Sequence, residues 1–514
     1  MDVTATHGEA RGQIRAKSVQ EHIDELPVWA DGTRLRSAPM TGMQRLIWSL
    51  AAAGKFFEGF VVFMTGVALP LLSREFGIGP SEKGLITAAT LFGILVGAVG
   101  LGGLSDRFGR KVMFLVEMVI FCAFLVALVF APNFYLVVVC LFGVGLALGC
   151  DYPTAHIIIS ENIPSSIRGR LVLGAFAFQA VGALGGTAVG YFVLATLPDL
   201  PAWRWMFASA IIPALLVTLG RLYIVESANW LHARGAIQRA EQACTRLLVR
   251  KPQYPSEIKL APRASQAATG SQSKASFASL FNGANLRATI FASVPWFLQD
   301  LGTYGIGIFT PTILAAAVGA NEDHARSIAD LIQKDITAAR GAALITALLI
   351  IGILFAVMLA DVVGRIWLQV LGFIGCAVGL FLASLSSYFT DGASLLMIFA
   401  GFMLFNFMTN VGPNAQTYLL AGEVFPTAVR GLGAGFAAAF AKIGAVLTAF
   451  FFPILLASIG TQALLWGLIV TSLLGAAVTW AFRIETTGVS LDTFDQHSSD
   501  EPTRTAVRPA AQPS

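Results

Sequence analysis

Charged side chains are scarce in this sequence of 514 residues. They make up 12% of the chain, about half the share of roughly 25% that soluble proteins carry, whereas hydrophobic residues make up 56%. The few charges are concentrated in the first 45 residues, near 230–286 and in the last 30. This composition excludes a soluble globular protein and indicates a polytopic membrane protein.

Cysteines and catalytic motifs are also few. The five cysteines fall in apolar segments or in a basic loop, which argues against a disulfide framework. The sequence contains no nucleotide-binding loop, no metal-ligand cluster and no Ser/His/Asp arrangement facing one cavity, so we predict no enzyme, no catalytic residue, no metal and no cofactor. The net charge of +4 sits mostly in loops and gives no reason to expect a nucleic-acid partner.

Apolar blocks of about 20 residues fill the rest of the chain, the length that crosses a hydrocarbon core of about 30 Å. Because a backbone in lipid must satisfy its own hydrogen bonds, each block is interpreted as a helix. We therefore predict an all-α membrane protein. Its twelve spans lie near 46–72, 84–104, 112–131, 134–158, 169–195, 205–225, 287–318, 342–362, 366–386, 393–421, 431–457 and 461–482.

An even number of spans places both termini on one side of the membrane. In the loops between spans, basic residues on that side outnumber those on the other by fifteen to six, which predicts cytoplasmic termini in an inner (plasma) membrane. The predicted parts are a cytoplasmic tail (1–45, expected to be disordered), a six-helix bundle (46–225), a cytoplasmic central loop (226–286), a second six-helix bundle (287–484) and a cytoplasmic tail (485–514).

Charged motifs repeat in the two halves. They are Asp-x-x-Gly-Arg, Glu-x-x-Pro-x-x-x-Arg-Gly and a closing glutamate. The copies begin at Asp106 and Asp361 (offset 255), at Glu161 and Glu423 (offset 262), and at Glu226 and Glu485 (offset 259). Two pseudo-symmetric six-helix halves in parallel orientation are the architecture of a rocking transporter.

The segment Gly-Gly-Leu-Ser-Asp-Arg-Phe-Gly-Arg-Lys at 102–111 resembles the signature of the major facilitator superfamily after its second helix. The segments at 225–231 and 484–491 are similar to the endings of its sugar-porter branch, in degraded form. The resemblance covers about 46–492 and implies the major facilitator fold. We expect such a carrier to function as a monomer.

The repeated charges predict a cytoplasmic gate. Asp106 and Asp361 can each sit at the N-terminus of a neighbouring helix, and the arginines can pair with the glutamates. Such pairs would close one face in one conformation and break in the other. The alternative is that these charges only solvate turns. The gate residues are Asp106, Arg110, Glu161, Arg168, Glu226, Asp361, Arg365, Glu423, Arg430 and Glu485.

Ionisable residues inside the spans are functional candidates, because burying a charge in a bilayer is costly. They are Lys55, Glu58, Glu117, Asp151, His156, Asp300 and Lys442. Lys55 and Glu58 are spaced i,i+3 and can neutralise each other. Glu117, near the start of its span, is expected to be structural, and His156 is expected to pack in the helix bundle.

The seventh span places Trp296, Asp300 and Tyr304 on one helix face at i,i+4,i+8. A carboxylate between two hydrogen-bonding aromatic side chains favours a cavity. In the tenth span the polar segment 410–414, with glycine and proline, interrupts the helix, as helices that line a cavity can. The proline-containing segment 151–153 is a similar polar site.

These segments resemble the phosphate:proton symporter branch, which has Trp-x-x-x-Asp-x-x-x-Tyr and Gly-Pro-Asn at these places. The resemblance implies a lysine at Lys442 and an acidic first-helix residue at Glu58. The chain departs from that branch at Val61, where the branch has a second aspartate, and at Lys55 and His156. The implied phosphate contacts are Tyr152, Gln179, Trp296, Asp300, Tyr304 and Asn414.

We therefore predict a proton-coupled symporter of a small solute in the lipid bilayer, with inorganic phosphate as the first candidate. Burial favours a neutral carboxyl, so Asp300 is the preferred coupling residue, with Asp151 and Glu58 as relays. Lys442 would hold Asp151 or Glu58 charged, or complement the anion. The alternatives are a symporter of a sugar, a polyol or an aromatic or organic acid, and a membrane sensor without flux.

Overall fold

The computed structural model describes residues 17–26, 38–101, 104–249, 258–260, 277–317, 328–426 and 429–484. These residues are almost entirely helical, and the β-pairing among them is an isolated bridge between Lys17 and Leu260. The chain divides into two compact units. Unit 1 comprises Met1–Gly270 and Arg326–Arg340, and unit 2 comprises Ser271–Ala325 and Gly341–Ser514.

The helices of the first half begin near the N-terminus and end in the central loop. A π-helical segment at Gly97–Leu101 follows the third of them. They are α1 (Val19–Asp24), α2 (Gly42–Phe76), α3 (Pro80–Val96), α4 (Leu104–Phe108), α5 (Arg110–Val129), α6 (Phe134–Asn162), α7 (Ser165–Thr196), α8 (Ala202–Ala208), α9 (Ile211–Tyr223), α10 (Ala228–Ala233) and α11 (Ile237–Leu247).

The second half contains longer helices and two short 3-10 turns, at Phe277–Phe281 and Leu385–Tyr388. Its helices are α12 (Gly283–Ala317), α13 (Ile328–Val363), α14 (Arg365–Ser384), α15 (Asp391–Val411), α16 (Pro413–Ala421) and α17 (Arg430–Phe482).

The helices account for the twelve predicted spans. Ten helical stretches of the described chain are long and apolar enough to cross a membrane. One of them, α17, has 53 residues and bends at Gly460, whose φ of 78° is non-helical, so it provides two spans. The twelfth is α12, which has 35 residues and at 1.5 Å per residue is about 50 Å long.

Two long-helix pairs correspond between the halves. Within unit 1, α2 packs along α7, the first and fifth spans, and within unit 2, α12 packs along the first part of α17, the seventh and eleventh spans. Each pair carries a buried carboxylate on its first helix, Glu58 or Asp300. The sequence repeat therefore corresponds to a repeated helix pairing, and the charged side chains discussed below lie on it or beside it.

Part of the predicted N-terminal tail is ordered, so the expectation of disorder fails for residues 17–26. The helix α1 begins with a capping box formed by Ser18 and Glu21, and it buries Val19 and Ile23. Asp24 accepts hydrogen bonds from the backbone and hydroxyl of Ser165, both at 2.7 Å. Hydropathy alone missed this segment because its apolar face is only two residues wide.

Candidate transport site

The second-half site is built on α12 and α17. Asp300 and Tyr304 lie one turn apart on α12 and are both buried. Lys442 of α17 donates a hydrogen bond to Tyr304 Oη at 2.7 Å, and its Nζ lies 3.5 Å from Asp300 Oδ2. The predicted partners of this lysine, Asp151 and Glu58, belong to unit 1, whereas the pair observed here is within unit 2. Lys442 therefore compensates the charge of Asp300.

The indole of Trp296 lies one turn before Asp300 and is buried as well. It meets the ring of Tyr418 edge to face, with a centroid separation of 6.2 Å. Tyr418 belongs to α16, so the predicted aromatic stripe of the seventh span is joined by an aromatic ring of the tenth. The sequence reasoning did not identify Tyr418.

The predicted interruption of the tenth span is observed. Helix α15 ends at Val411 and α16 begins at Pro413, with Gly412 between them at φ −110° and ψ −98°. Asn414, just after the break, donates to Asn410 Oδ1 at 2.6 Å. This hydrogen bond therefore joins α15 and α16 across the break.

Amides and hydroxyls form a connected polar ladder, comprising Asn410, Asn414, Gln299, Thr303 and Thr409. Gln299 Nε2 donates to Thr303 Oγ1 at 2.6 Å and to Asn414 Oδ1 at 3.3 Å. The hydroxyls of Thr303 and Thr409 are 3.1 Å apart. Within the described part of unit 2, Gln299 Oε1 is buried without a hydrogen-bond partner. The polar ladder can therefore accept one further hydrogen bond at this oxygen.

The first-half counterpart lies on α2 and α7. Lys55 donates to Glu58 Oε2 at 2.6 Å, and Gln179 of α7 donates to Glu58 Oε1 at 3.3 Å. The predicted i,i+3 neutralisation of Lys55 and Glu58 is therefore observed. Tyr152, the other first-half contact implied by the phosphate resemblance, lies on α6, and its side chain is outside the described residues.

A buried charge cluster that the sequence reasoning missed is centred on Arg221 of α9. Its guanidinium donates to Glu117 Oε1 at 2.9 Å and to Asp151 Oδ1 at 2.5 Å, and the side chain has no solvent exposure. It also donates to the carbonyl of Phe114 at 2.5 Å and lies 3.4 Å from the centroid of that ring. This arginine was overlooked because an arginine in the last turn of a span usually reaches the membrane surface.

Asp151 is held against α2 by a close contact. A Cβ atom added at Gly54 would lie 1.7 Å from Asp151 Oδ2, so a glycine is required there. Gly54 directly precedes Lys55. The Arg221 cluster and the Lys55–Glu58 pair therefore adjoin each other in unit 1.

The spans of unit 1 bury more carboxyl groups than cations. Apart from Arg110 at the predicted gate, the described spans of the first half bury two cations, Lys55 and Arg221, and three carboxyls, Glu58, Glu117 and Asp151. Glu117 faces Asp151, and its Oε2 has no partner among the described residues. Because an unpaired buried charge is unfavourable, this cluster is neutral when it holds one proton.

The exposure of His156 on α6 differs from the prediction. The sequence predicts a packed histidine, but its side chain is exposed. Glu117, predicted to be structural, is instead one of the three members of the Arg221 cluster.

The predicted gate motifs form matching contacts in the two units. Arg110 binds Glu161 with Nη2–Oε1 at 3.1 Å, and Arg365 forms an ion pair with Glu423. Each arginine follows a glycine with positive φ, 108° at Gly109 and 91° at Gly364, a conformation that favours glycine. The motif spacing therefore identified equivalent contacts, each within one unit.

The start of α5 is capped by a different residue from the one predicted. Glu226 Oε1 accepts from the backbone amides of Arg110 and Lys111 at 2.9 and 3.0 Å, so it takes the position expected for Asp106. Asp106 is exposed and pairs with Arg110 at 2.8 Å. A carboxylate at a helix N-terminus is stabilising, so Glu226 stabilises the start of α5.

Two predicted gate arginines bind carbonyls. Arg168 Nη2 lies 3.5 Å from the carbonyl oxygen of Ile163, and Arg430 Nε donates to that of Phe425 at 3.1 Å. In both cases the acceptor is five residues earlier in the chain. Neither arginine pairs with a carboxylate within the described ranges, which corrects the prediction for both. The side chain of Asp361 and the whole of Glu485 lie outside those ranges.

This fold and these paired charge motifs define a transporter of the major facilitator superfamily. The profile of the family "Sugar (and other) transporter" matches residues 47–497, and the chain belongs to this family. It is a multi-pass integral membrane protein and a transporter, not an enzyme.

The chain is similar, over most of its length, to transporters whose names give different substrates. A putative metabolite transport protein of Escherichia coli is 28% identical over 87% of this chain and 93% of its own. A putative inorganic phosphate transporter of Schizosaccharomyces pombe is 27% identical, covering 83% and 84%. A niacin transporter of Acinetobacter baylyi is 26% identical, covering 80% and 88%.

Solved structures support the same fold. The xylose transporter XylE from E. coli, in a partially occluded inward open conformation, superposes with a TM-score of 0.69 at 23% identity and covers 88% of this chain and 100% of its own. A structure described as a D-xylose-proton symporter gives 0.66 at 22% identity, covering 87% and 99%.

Proposed function

We propose that this protein is a proton-coupled symporter of a small anionic solute, with inorganic phosphate as the first candidate. The observation that carries the proposal is the contact of Lys442 with both Asp300 and Tyr304. An anion that displaces Asp300 from the ammonium would meet a cation and a phenol, with the indole of Trp296 and the amide of Asn414 as further donors.

The proton is assigned to the Arg221 cluster. While Lys442 contacts Asp300 the charge of that carboxylate is compensated, whereas Glu117 and Asp151 share one guanidinium whether or not an anion is bound. A proton bound by this pair removes the uncompensated charge. We infer that Glu117, and not Asp300, is the preferred coupling residue, while Asp151 and Glu58 remain the relay candidates beside it.

A sugar or polyol is the second candidate, and the polar ladder favours it. Hydroxyl groups can both donate and accept, and Gln299 Oε1 offers a buried acceptor. A sugar brings several such hydroxyl donors, whereas phosphate near neutral pH brings only one or two. The two candidates therefore make different demands on the same unit.

The test is uptake into proteoliposomes with an imposed proton gradient, using labelled phosphate, xylose and nicotinate. For an anion we expect Lys442→Met to reduce kcat/KM by about 100-fold, because a buried charge-assisted contact is lost, and Lys442→Arg to retain part of it. Arg287→Met, which removes an exposed cation outside the site, is the control. Wild-type anion uptake by Lys442→Met would contradict the proposal, and saturable uptake of xylose alone would favour the second candidate.

We further propose that the protein resides in the plasma membrane with both termini and the central loop in the cytoplasm. The five native cysteines are all buried, so background labelling by a membrane-impermeant maleimide should be low. A Ser265→Cys variant should then react in inverted vesicles and not in intact cells. Labelling of that variant from outside on intact cells would reverse the proposed orientation.

A further inference from the structure

The helix α13 begins well before its predicted span. Hydropathy placed the span near 342–362, but the helix starts at Ile328. The extra turns contain four charged residues, Asp330, Lys334, Asp335 and Arg340, which is why hydropathy excluded them. Residues up to Arg340 belong to unit 1, and the rest of the same unbroken helix belongs to unit 2.

An ion pair holds this extension in unit 1. Asp335 binds Arg74, which lies in the last turn of α2. Both side chains are largely buried, with 14% of Arg74 and 4% of Asp335 exposed. Asp335 Oδ1 is buried and has no hydrogen-bond partner in the described part of the chain. Loss of the arginine would therefore leave a buried carboxylate uncompensated.

The neighbouring residue on α2 makes a different kind of contact. Glu75 accepts from Trp203 Nε1 at 2.6 Å and from Arg204 Nη1 at 2.7 Å, both on α8, a helix that lies wholly in unit 1. Adjacent residues of α2 therefore hold two partners. One partner stays inside unit 1, and the other belongs to a helix that continues into unit 2.

We propose that Arg74–Asp335 is a conformational latch at the end of the spans opposite the termini. The pair is intact in the conformation described here. Alternating access in a two-unit carrier requires the units to move against each other, and a helix with one end in each unit cannot follow both. The pair then breaks as the extension of α13 leaves α2. The proposal depends on the transporter class and not on which solute is carried.

The test is a distance measurement between spin labels on the full-length protein in lipid nanodiscs. Cysteines are introduced at Asp199 in unit 1 and Thr390 in unit 2, both exposed, while the native cysteines are buried. We expect Arg74→Gln and Asp335→Asn each to raise the population of longer distances by about tenfold or more. The exchange of charges in Arg74→Asp/Asp335→Arg should return the distribution toward wild type.

The matched control is Arg204→Gln, which removes the pair of Glu75 at the same end of unit 1. It should leave the distance distribution unchanged. The proposal is overturned if the single variants have the wild-type distribution, or if Arg204→Gln shifts it equally. If the single variants do not fold, the test is made with Arg74→Asp/Asp335→Arg alone. The proposal is then contradicted if this variant does not fold or if its distance distribution differs from that of wild type.

Discussion

Replacing Arg221 by methionine is expected to abolish transport and to lower the free energy of unfolding by about 3–5 kcal/mol, the usual effect of breaking a buried ion pair from one side. The substitution leaves Glu117 and Asp151 facing each other without a cation, and it removes the donors to the carbonyls of Phe114 and Leu50. The measurement is thermal unfolding in detergent, followed by a thiol-reactive dye that reports exposure of the buried cysteines.

A triple variant separates charge from packing. Arg221→Met/Glu117→Gln/Asp151→Asn carries no buried charge in the cluster and should recover most of the melting temperature without recovering coupled transport. Arg287→Met is the control, because Arg287 is exposed and donates to carbonyls at the end of α17. A melting temperature of Arg221→Met equal to that of wild type would show that the cluster is not held as described.

Local patterns predicted the features that depend on one helix or on one repeated motif. Hydropathy predicted the spans, and the i,i+4 spacing placed Asp300 and Tyr304 together, because a helical period fixes which residues share a face. The Gly-Pro-Asn segment predicted the break at Gly412, since proline and glycine interrupt a helix. The repeat offsets predicted that Arg110 and Arg365 have equivalent partners.

Contacts between helices that share no repeated motif were not predicted. Arg221 meets carboxylates from two other spans, and nothing in its own span indicates which helices approach it. A useful signal was present nonetheless. Glu58, Glu117 and Asp151 outnumber Lys55 in the first-half spans, and such an excess of buried carboxylates calls for another cation. The extension of α13 was missed for a related reason, since its Asp335 is compensated by Arg74 of α2.

The second large effect is expected for proton coupling when Glu117 is replaced. A Glu117→Gln variant keeps the size of the side chain but cannot release a proton, so it holds the Arg221 cluster permanently in its neutral state. We expect it to lose gradient-driven accumulation, which for one coupled proton is roughly tenfold per pH unit, while exchange of labelled for unlabelled solute continues. The measurement compares both activities in the same proteoliposomes.

Asp300→Asn is the discriminating partner variant. If the Arg221 cluster carries the proton, this change releases Lys442 and alters KM, but accumulation still depends on the gradient. If Asp300 carries the proton, as its position between two aromatic residues first suggested, the outcomes of the two variants are exchanged. Because Asp300 has Lys442 beside it whereas Glu117 and Asp151 must share Arg221, we expect gradient dependence to survive in Asp300→Asn and to be lost in Glu117→Gln.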